Sequence, residues 1–294
     1  MAVESVFGST NLRFVSDIDK DVTKLLAHHH PNVPNLGDLI KVNWEDVEPV
    51  DVLTAGYPCQ PFSTAGKRKG LEDERAIFEY IADAISVLRP RWLLLENVAG
   101  HLTLGGTAVI NTLTKLGYDS RWGIVRASDT GAPHKRARLF IWAQTTDTSS
   151  KGLYRTKRSR ATTQERFSFR HIAERIPKPT FTDTDFRRFQ NVWTQSGLGE
   201  TFEESCLVGF FGPYEPAVKQ WAQIIGRPVP IPVDERGVEP VFVEWMMGLP
   251  EGHVTGLGLS RTAELKMLGN GVVPQQAALA INLLTERGVY AASA

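Results

Sequence analysis

Short apolar segments alternate with amphipathic segments along the first half of the chain, and this alternation limits the possible folds more than any other feature. Strand-like stretches at 12–15, 51–56 and 91–97 are each followed by apolar residues at helical spacing. Two further strand-like stretches, 121–126 and 138–143, flank a polar turn. Strands that alternate with helices predict a parallel, doubly wound α/β sheet. The apolar run within 91–97 predicts a strand that is buried on both faces.

The composition divides the chain into two regions. After Gln144 the sequence becomes rich in Thr, Ser, Lys and Arg, and periodicity returns only at a predicted helix over 214–225. Prolines at 228, 230 and 232 predict a stiff linker, and apolar patterning resumes from 239 to a helix that begins near Pro274. We therefore predict one domain from residues 1–145 plus 239–294, and a separate smaller region over 146–238.

Charge is balanced overall but not along the chain. The sequence has 33 basic and 33 acidic residues, yet the block from Lys151 to Arg188 holds eleven basic residues against four acidic ones. Aromatic residues that include Tyr154, Phe167, Phe169 and Phe181 are interleaved there, a combination that suits a surface following nucleic-acid phosphates. The alternative is a solvated loop, because charge runs are often exposed.

Other classes of protein fit the sequence poorly. Two cysteines, Cys59 and Cys206, are too few for a disulfide framework and are not spaced for a metal site. The run His28–His30 lacks partner ligands at suitable spacing, so we expect a solvated helix end and no metal. No apolar run is long enough to span a membrane and no signal peptide is apparent, so we expect a cytoplasmic protein.

Chemically competent residues follow two of the predicted strands. Cys59 lies between prolines directly after strand 51–56, on a stiff loop where a doubly wound sheet binds its ligands. Glu96 ends the next strand, where desolvation would favour its protonated form and make it a proton donor. Arg136 and Arg138 alternate on one side of a predicted strand, so their guanidinium groups could steer an anion and a base.

These motifs resemble those of the cytosine-C5 DNA methyltransferases. The match comprises the Pro58-Cys59-Gln60 loop, Glu96-Asn97-Val98, the paired arginines and 269–274 (Gly-Asn-Gly-Val-Val-Pro), in family order over most of the chain. The resemblance implies a Rossmann-like methyltransferase fold that uses S-adenosylmethionine. It also implies that region 146–238 is a target-recognition region for duplex DNA, and that the enzyme acts as a monomer without a metal.

The resemblance assigns a role to each residue. Cys59 would add to C6 of a flipped cytosine, Glu96 would contact N3 and the exocyclic amine, and C5 would then take the methyl group. The base that finally removes the C5 proton is not identified. Asp17 would bind the cofactor ribose, Asp38 the adenine amine, and Asn270 would lie near the methionine portion. The same match adds Ile18 and Pro58 to the expected cofactor-binding residues.

The sequence departs from the family pattern at its start. The family opens with a strand and a glycine-rich cofactor loop, whereas residues 1–8 read as the helix that follows that loop. Losing this central strand would expose the edges of its neighbours. Three explanations stay open: a start codon assigned too late, an inactive DNA-binding relic, or a split enzyme completed by another chain. A second departure is His134, which stands where the family usually has glutamine. A histidine at this position can still form hydrogen bonds. An RNA substrate also stays open.

Overall fold

A computed structural model of the protein describes residues 1–58, 76–146 and 210–285. Its strands are β1 Val52–Gly56, β2 Trp92–Val98, β3 Tyr118–Arg126, β4 Ala137–Thr145, β5 Val233–Asp234 and β6 Gly237–Val238. Its α-helices are α1 Ala2–Phe7, α2 Lys20–His29, α3 Ala76–Leu88, α4 His101–Leu104, α5 Gly106–Lys115, α6 Glu215–Ile225, α7 Pro240–Met246, α8 Arg261–Asn270 and α9 Pro274–Thr285. Short 3-10 turns lie at Trp44–Asp46, Ala127–Thr130, Gly212–Tyr214 and Thr255–Leu257.

Four of the described strands form one sheet in the order β1-β2-β4-β3. β1 and β2 are parallel, but β4 runs antiparallel to both of its neighbours, so the sheet is mixed and the prediction of a purely parallel sheet is wrong. The reason is the connection over 127–136, which is too short for the crossover that a parallel pair requires.

The predicted strand over 12–15 is reduced to a single parallel bridge between Val15 and Asn35. A ladder extends only where two segments run side by side. Here the second segment turns at Gly37, whose φ of 70° lies in the left-handed region. The bridge still matters for the site, because it brings the residues that follow Val15 next to those that follow Asn35.

Helices cover both faces of the sheet, as the doubly wound prediction requires. Leu93 and Leu95 of β2 pack with α3 and α5 on one face, whereas Leu94 packs with α1 and α9 on the other. These three leucines are at most 7% exposed. The prediction of a strand buried on both faces is therefore confirmed, and polar residues can be expected only where β2 ends.

A third cluster joins residues of the second half of the chain. Trp221 of α6 donates a hydrogen bond from Nε1 to the carbonyl oxygen of Trp245 at 3.0 Å, and Trp245 stacks on Phe242. The cluster also includes Val273, directly before α9. It thus ties residues 210–225, which belong to the predicted recognition region, to the helices that carry Asn270. The basic block 151–188 and Cys206 lie outside the described residues.

The histidine run ends α2 and packs against a loop. His29 Nε2 lies 2.7 Å from the carbonyl oxygen of His253, and the two rings stack at 4.0 Å. His28 and His30 are exposed and only His29 is partly buried, so the prediction of a solvated helix end holds for two of the three histidines. Among the described residues, no three His, Cys, Asp or Glu side chains are grouped to hold a metal ion. None of the helices in these ranges is long and apolar enough to cross a membrane.

Candidate active site

The carboxylate of Glu96 lies where two parallel strands end together. Glu96 of β2 is in register with Gly56 of β1, so both residues are at the carboxyl edge of the sheet. A Cβ atom at position 56 would come within 3.3 Å of Glu96 Oε2, which explains why glycine suits this position. The carboxylate therefore lies against the end of the strand that leads to Cys59. Cys59 itself lies outside the described residues.

Two buried side chains hold the end of β1 in place. Asn97, which is 4% exposed, donates from Nδ2 to the carbonyl oxygen of Tyr57 at 3.0 Å. The hydroxyl oxygen of Tyr57 lies 3.1 Å from His101 Nε2, and the two rings meet edge to face. The structure thus gives Asn97 a positioning role that sequence reasoning missed. Its place beside Glu96, at the end of an apolar strand, is the signal that could have revealed it.

Arg138 and Glu96 form an ion pair across neighbouring strands. Arg138 is in register with Val98, two residues beyond Glu96, so both side chains project from the same face. Arg138 Nε lies 2.9 Å from Glu96 Oε1, and the two side chains are 16% and 15% exposed. The sequence predicted only that Arg138 could steer an anion and a base, so its pairing with Glu96 is a finding of the structure.

Burial and charge act on Glu96 in opposite directions. Desolvation raises the pKa of its carboxyl above the ordinary value, and this effect outweighs the lowering by Arg138 and Arg136. The net rise means that Glu96 holds a proton to higher pH than an exposed glutamate does. A group of this kind can donate a proton or a hydrogen bond to a ring nitrogen.

Arg136 does not have the strand geometry that the sequence predicted. It precedes β4 and has a φ of 29°, so it does not alternate with Arg138 along one side of a strand. Its Nη2 donates to the carbonyl oxygens of Gly269, at 2.6 Å, and of Gly271. Burial, followed by the charge of Arg138, lowers the pKa of Arg136 to about 10, and it stays cationic at neutral pH. Arg136 therefore holds the two carbonyl groups that flank Asn270.

Replacing Arg138 by methionine should raise the pKa of Glu96 further. Arg138 lowers this pKa through its charge and its hydrogen bond, so its removal leaves desolvation less opposed. The check is a ¹³C NMR titration of the glutamate carboxyl carbons, with Glu96→Gln to assign the signal. Arg121→Met serves as control, because Arg121 bonds to the carbonyl of Leu284 instead. An unchanged or lowered pKa in Arg138→Met would contradict the prediction.

His134, which departs from the family pattern, forms the hydrogen bond that the sequence allowed. Its Nε2 lies 3.0 Å from the carbonyl oxygen of Met246, which can only accept, so Nε2 carries the proton. Burial lowers the pKa of His134 to about 4, which keeps the ring neutral at physiological pH. A neutral donor at this position joins the segment before β4 to the end of α7.

The two predicted cofactor acids are brought together by the bridge between Val15 and Asn35. The hydroxyl of Ser16 donates to the carbonyl oxygen of Gly37 at 2.7 Å, which places Asp17 and Asp38 at the ends of adjacent segments. Asp17 Oδ1 also accepts from the backbone of Asp19 at 2.8 Å. Both acids are half-buried, so part of each carboxylate faces solvent.

The surroundings of these acids fit an amphipathic ligand such as S-adenosylmethionine. Ile18 is 73% exposed, and an exposed isoleucine beside two carboxylates offers an apolar contact next to hydrogen-bond acceptors. Lys266 of α8 binds Asp19 at 2.7 Å, which ties the helix that ends at Asn270 to the same segment. Asn270 and Pro58 are exposed. Pro58 is the last residue that the structure describes after β1.

Comparison with solved structures defines the class of fold. The chain is similar to the Dnmt2 methyltransferase of S. pombe, with a TM-score of 0.59 and 15% identity over 96% of this chain and 93% of that one. A second similar structure is a Spodoptera frugiperda DNMT2 variant, with a TM-score of 0.52 and 16% identity over 97% of this chain and 95% of that chain. The protein therefore has a Rossmann-like methyltransferase fold.

Sequence comparison defines the family. The model of the C-5 cytosine-specific DNA methylases matches residues 2–206, more than half of the chain. The type II methyltransferase M1.ScrFI of Lactococcus lactis subsp. cremoris is 30% identical over 92% of this chain and 71% of its own length. M.NlaIV of Neisseria lactamica is 35% identical over 44% of this chain, and the match spans only 33% of that relative. The chain belongs to the C-5 cytosine-specific DNA methylase family, whose members use S-adenosylmethionine as methyl donor.

Proposed function

We propose that this protein transfers a methyl group from S-adenosylmethionine to C5 of cytosine in a specific sequence of duplex DNA. The observation that carries the proposal is the buried pair of Glu96 and Arg138, which lies at the end of the strand leading to Cys59. Family membership supports the same reaction. The protein would act as a monomer, in the cytoplasm of a bacterium or of a phage-infected cell.

The reaction requires a nucleophile and a polar partner on opposite parts of the cytosine ring. The Cys59 thiolate adds to C6, and the bond electrons make C5 nucleophilic. Glu96 donates a hydrogen bond to N3 and accepts one from the exocyclic amine, so it stabilises the charge that develops in the ring. Arg138 holds the Glu96 carboxyl in this orientation through its 2.9 Å contact.

The remaining steps restore the aromatic ring. When bound, S-adenosylmethionine would supply the electrophilic methyl group that C5 takes, and it would leave as S-adenosylhomocysteine, whose sulfur keeps the electrons of the broken S–CH3 bond. A base then removes the C5 proton, the electrons return to the ring, and the Cys59 sulfur leaves C6 as thiolate. Asp17, Ile18, Asp38, Pro58 and Asn270 would hold the cofactor, on the evidence of the acids brought together by Ser16 and the exposed isoleucine.

Residues 1–145 plus 239–294 would form the catalytic domain, and 146–238 would recognise DNA. The basic block within 151–188 supports this division, because eleven cationic side chains against four acidic ones favour phosphate contacts. The packing of Trp221 against Trp245 would connect the recognition region to the catalytic domain. Contacts with phosphates release counterions from DNA, so binding of DNA weakens as the salt concentration rises.

Transfer of a labelled methyl group tests the proposal. The chain is incubated with methyl-labelled S-adenosylmethionine and either cytosine-containing duplex DNA or duplex RNA, and the product nucleosides are separated. We expect label in 5-methylcytosine from DNA. Label in RNA alone, or on the exocyclic nitrogen, would overturn the substrate or the site of transfer. DNA binding without any transfer would instead favour an inactive DNA-binding relic.

A further inference from the structure

Gln276 is a buried polar residue that neither the fold nor the proposed chemistry explains. It lies in the first turn of α9 and is 0% exposed. Its Nε2 donates to the carbonyl oxygen of Val125 at 2.8 Å and to that of Arg136 at 2.7 Å. Its Oε1 is buried and has no hydrogen-bond partner among the residues that the structure describes. A buried acceptor without a partner is costly, and the two hydrogen bonds that Gln276 donates offset this penalty.

The two acceptors of Gln276 lie on either side of Arg138. Val125 of β3 is the residue in register with Arg138, and Arg136 precedes it by two positions. One amide group therefore holds the backbone both opposite Arg138 and immediately before it. Displacement of either contact would move the guanidinium group that meets Glu96.

Arg136 itself needs external support. Its φ of 29° is unusual for a residue with a side chain, and such conformations persist only where the surroundings hold them. The hydrogen bond from Gln276 to its carbonyl oxygen and the two bonds from its side chain to Gly269 and Gly271 supply that support. Arg136 thus joins the strand of Arg138 to the turn that carries Asn270.

We propose that Gln276 is a positioning residue for methyl transfer, which acts through the backbone of Val125 and Arg136 to hold Arg138 against Glu96. This inference rests on the function proposed above. Gln276 does not touch the reacting atoms in this arrangement. Its effect is to keep the Arg138–Glu96 pair and the Asn270 turn in one fixed geometry, which is the condition for efficient transfer.

Gln275 offers a matched control on the same helical turn. Its Nε2 donates to the carbonyl oxygen of Gly248 at 3.0 Å, and within the described ranges its buried Oε1 also has no partner. Gln275→Met removes one hydrogen bond from a half-buried side chain, whereas Gln276→Met removes two from a fully buried one. Only the second change affects the backbone beside Arg138. A purely structural role for the two glutamines predicts that neither substitution shifts the titration of Glu96.

The test combines kinetics with an NMR titration of Glu96 in the full chain. We expect Gln276→Met to lower kcat by roughly 10- to 100-fold, because small displacements of catalytic groups have effects of this order. The KM for DNA should stay unchanged. The pKa of Glu96 should rise as Arg138 moves away, whereas Gln275→Met should retain both kcat and the Glu96 titration. Gln276→Glu keeps the shape, and its carboxyl, protonated in this buried site, can donate one hydrogen bond in place of two, so its effects should lie between those of the unaltered protein and Gln276→Met.

Every other outcome of this test either contradicts or supports the positioning role of Gln276. An unchanged Glu96 titration in folded Gln276→Met, or equal losses in Gln275→Met, would overturn the positioning role. If Gln276→Met does not fold, as judged by circular dichroism, the titration of Gln276→Glu decides in its place. A shifted titration in a protein that never methylates cytosine would uphold the positioning role and remove only the proposed function.

Discussion

Replacement of Cys59 by alanine is expected to abolish methyl transfer, with kcat reduced by at least roughly 10⁴-fold. C5 of cytosine is a poor nucleophile unless a group adds at C6, and the chain has only one other thiol, Cys206. Cys59 follows the end of β1, where Asn97 and His101 hold the neighbouring Tyr57. The described backbone at Tyr57 is thus held in place, and we expect the thiol two residues further on to attack a base bound beside Glu96.

A covalent trap provides the measurement. With duplex DNA that contains 5-fluorocytosine, no proton is available at C5 for the last step, so the protein should stay bound to the base through sulfur. The adduct is resolved by denaturing electrophoresis and located by mass spectrometry of the peptide. Cys206→Ala is the control and should form the adduct at the rate of the unaltered protein. An adduct that persists in Cys59→Ala would show that another nucleophile attacks the ring.

The positions of buried strands were predictable because burial on both faces of a sheet requires an uninterrupted run of apolar residues. Leu93, Leu94 and Leu95 are apolar without alternation because helices cover both sides of β2. Strand order and direction leave no such signal, so the antiparallel pairing of β4 with β2 was missed. The predicted strand over 12–15 also failed, because a short ladder depends on whether its partner continues alongside it.

Site residues could be predicted where reactive side chains lie at the ends of predicted strands. Glu96 was predicted because it ends an apolar run, and Arg138 was predicted from its alternation with Arg136; the structure places the two side chains 2.9 Å apart. The direction of Arg136 was not predictable, since it depends on a left-handed backbone conformation at a non-glycine residue. Gln276 was missed for another reason. A buried amide is indistinguishable from a surface glutamine until its two carbonyl acceptors are known.

Replacement of Glu96 by glutamine is expected to lower kcat by roughly 10²- to 10⁴-fold, the range typical of a lost proton donor. The amide oxygen can still accept from Arg138 Nε, so the orientation of the side chain should persist. What is lost is a carboxyl that can share a proton with N3 of the ring. Glu96→Asp keeps the carboxyl but withdraws it from the ring by one methylene group, so it should also be impaired.

A loss of folding would not account for a lower kcat in Glu96→Gln. The pKa of Glu96 is raised by burial, so ionisation of the carboxyl weakens the native state as pH rises past the ordinary glutamate range. A neutral amide avoids this cost at neutral pH, although it gives up the charge attraction of Arg138. The thermal midpoint of Glu96→Gln should therefore lie close to that of the unaltered protein, and DNA binding should be retained.

The matched control for Glu96→Gln is Glu264→Gln on α8. The carboxyl of Glu264 is 9% exposed and burial also raises its pKa, but its acidic neighbours are Glu244 and Glu239. Rates are compared in a single turnover, with the 5-fluorocytosine adduct measured in parallel. Equal rates for the two variants would remove Glu96 from the mechanism. A loss confined to Glu96→Gln, with slow adduct formation, would place its action at the addition of sulfur to C6, because that is when charge first develops on the ring.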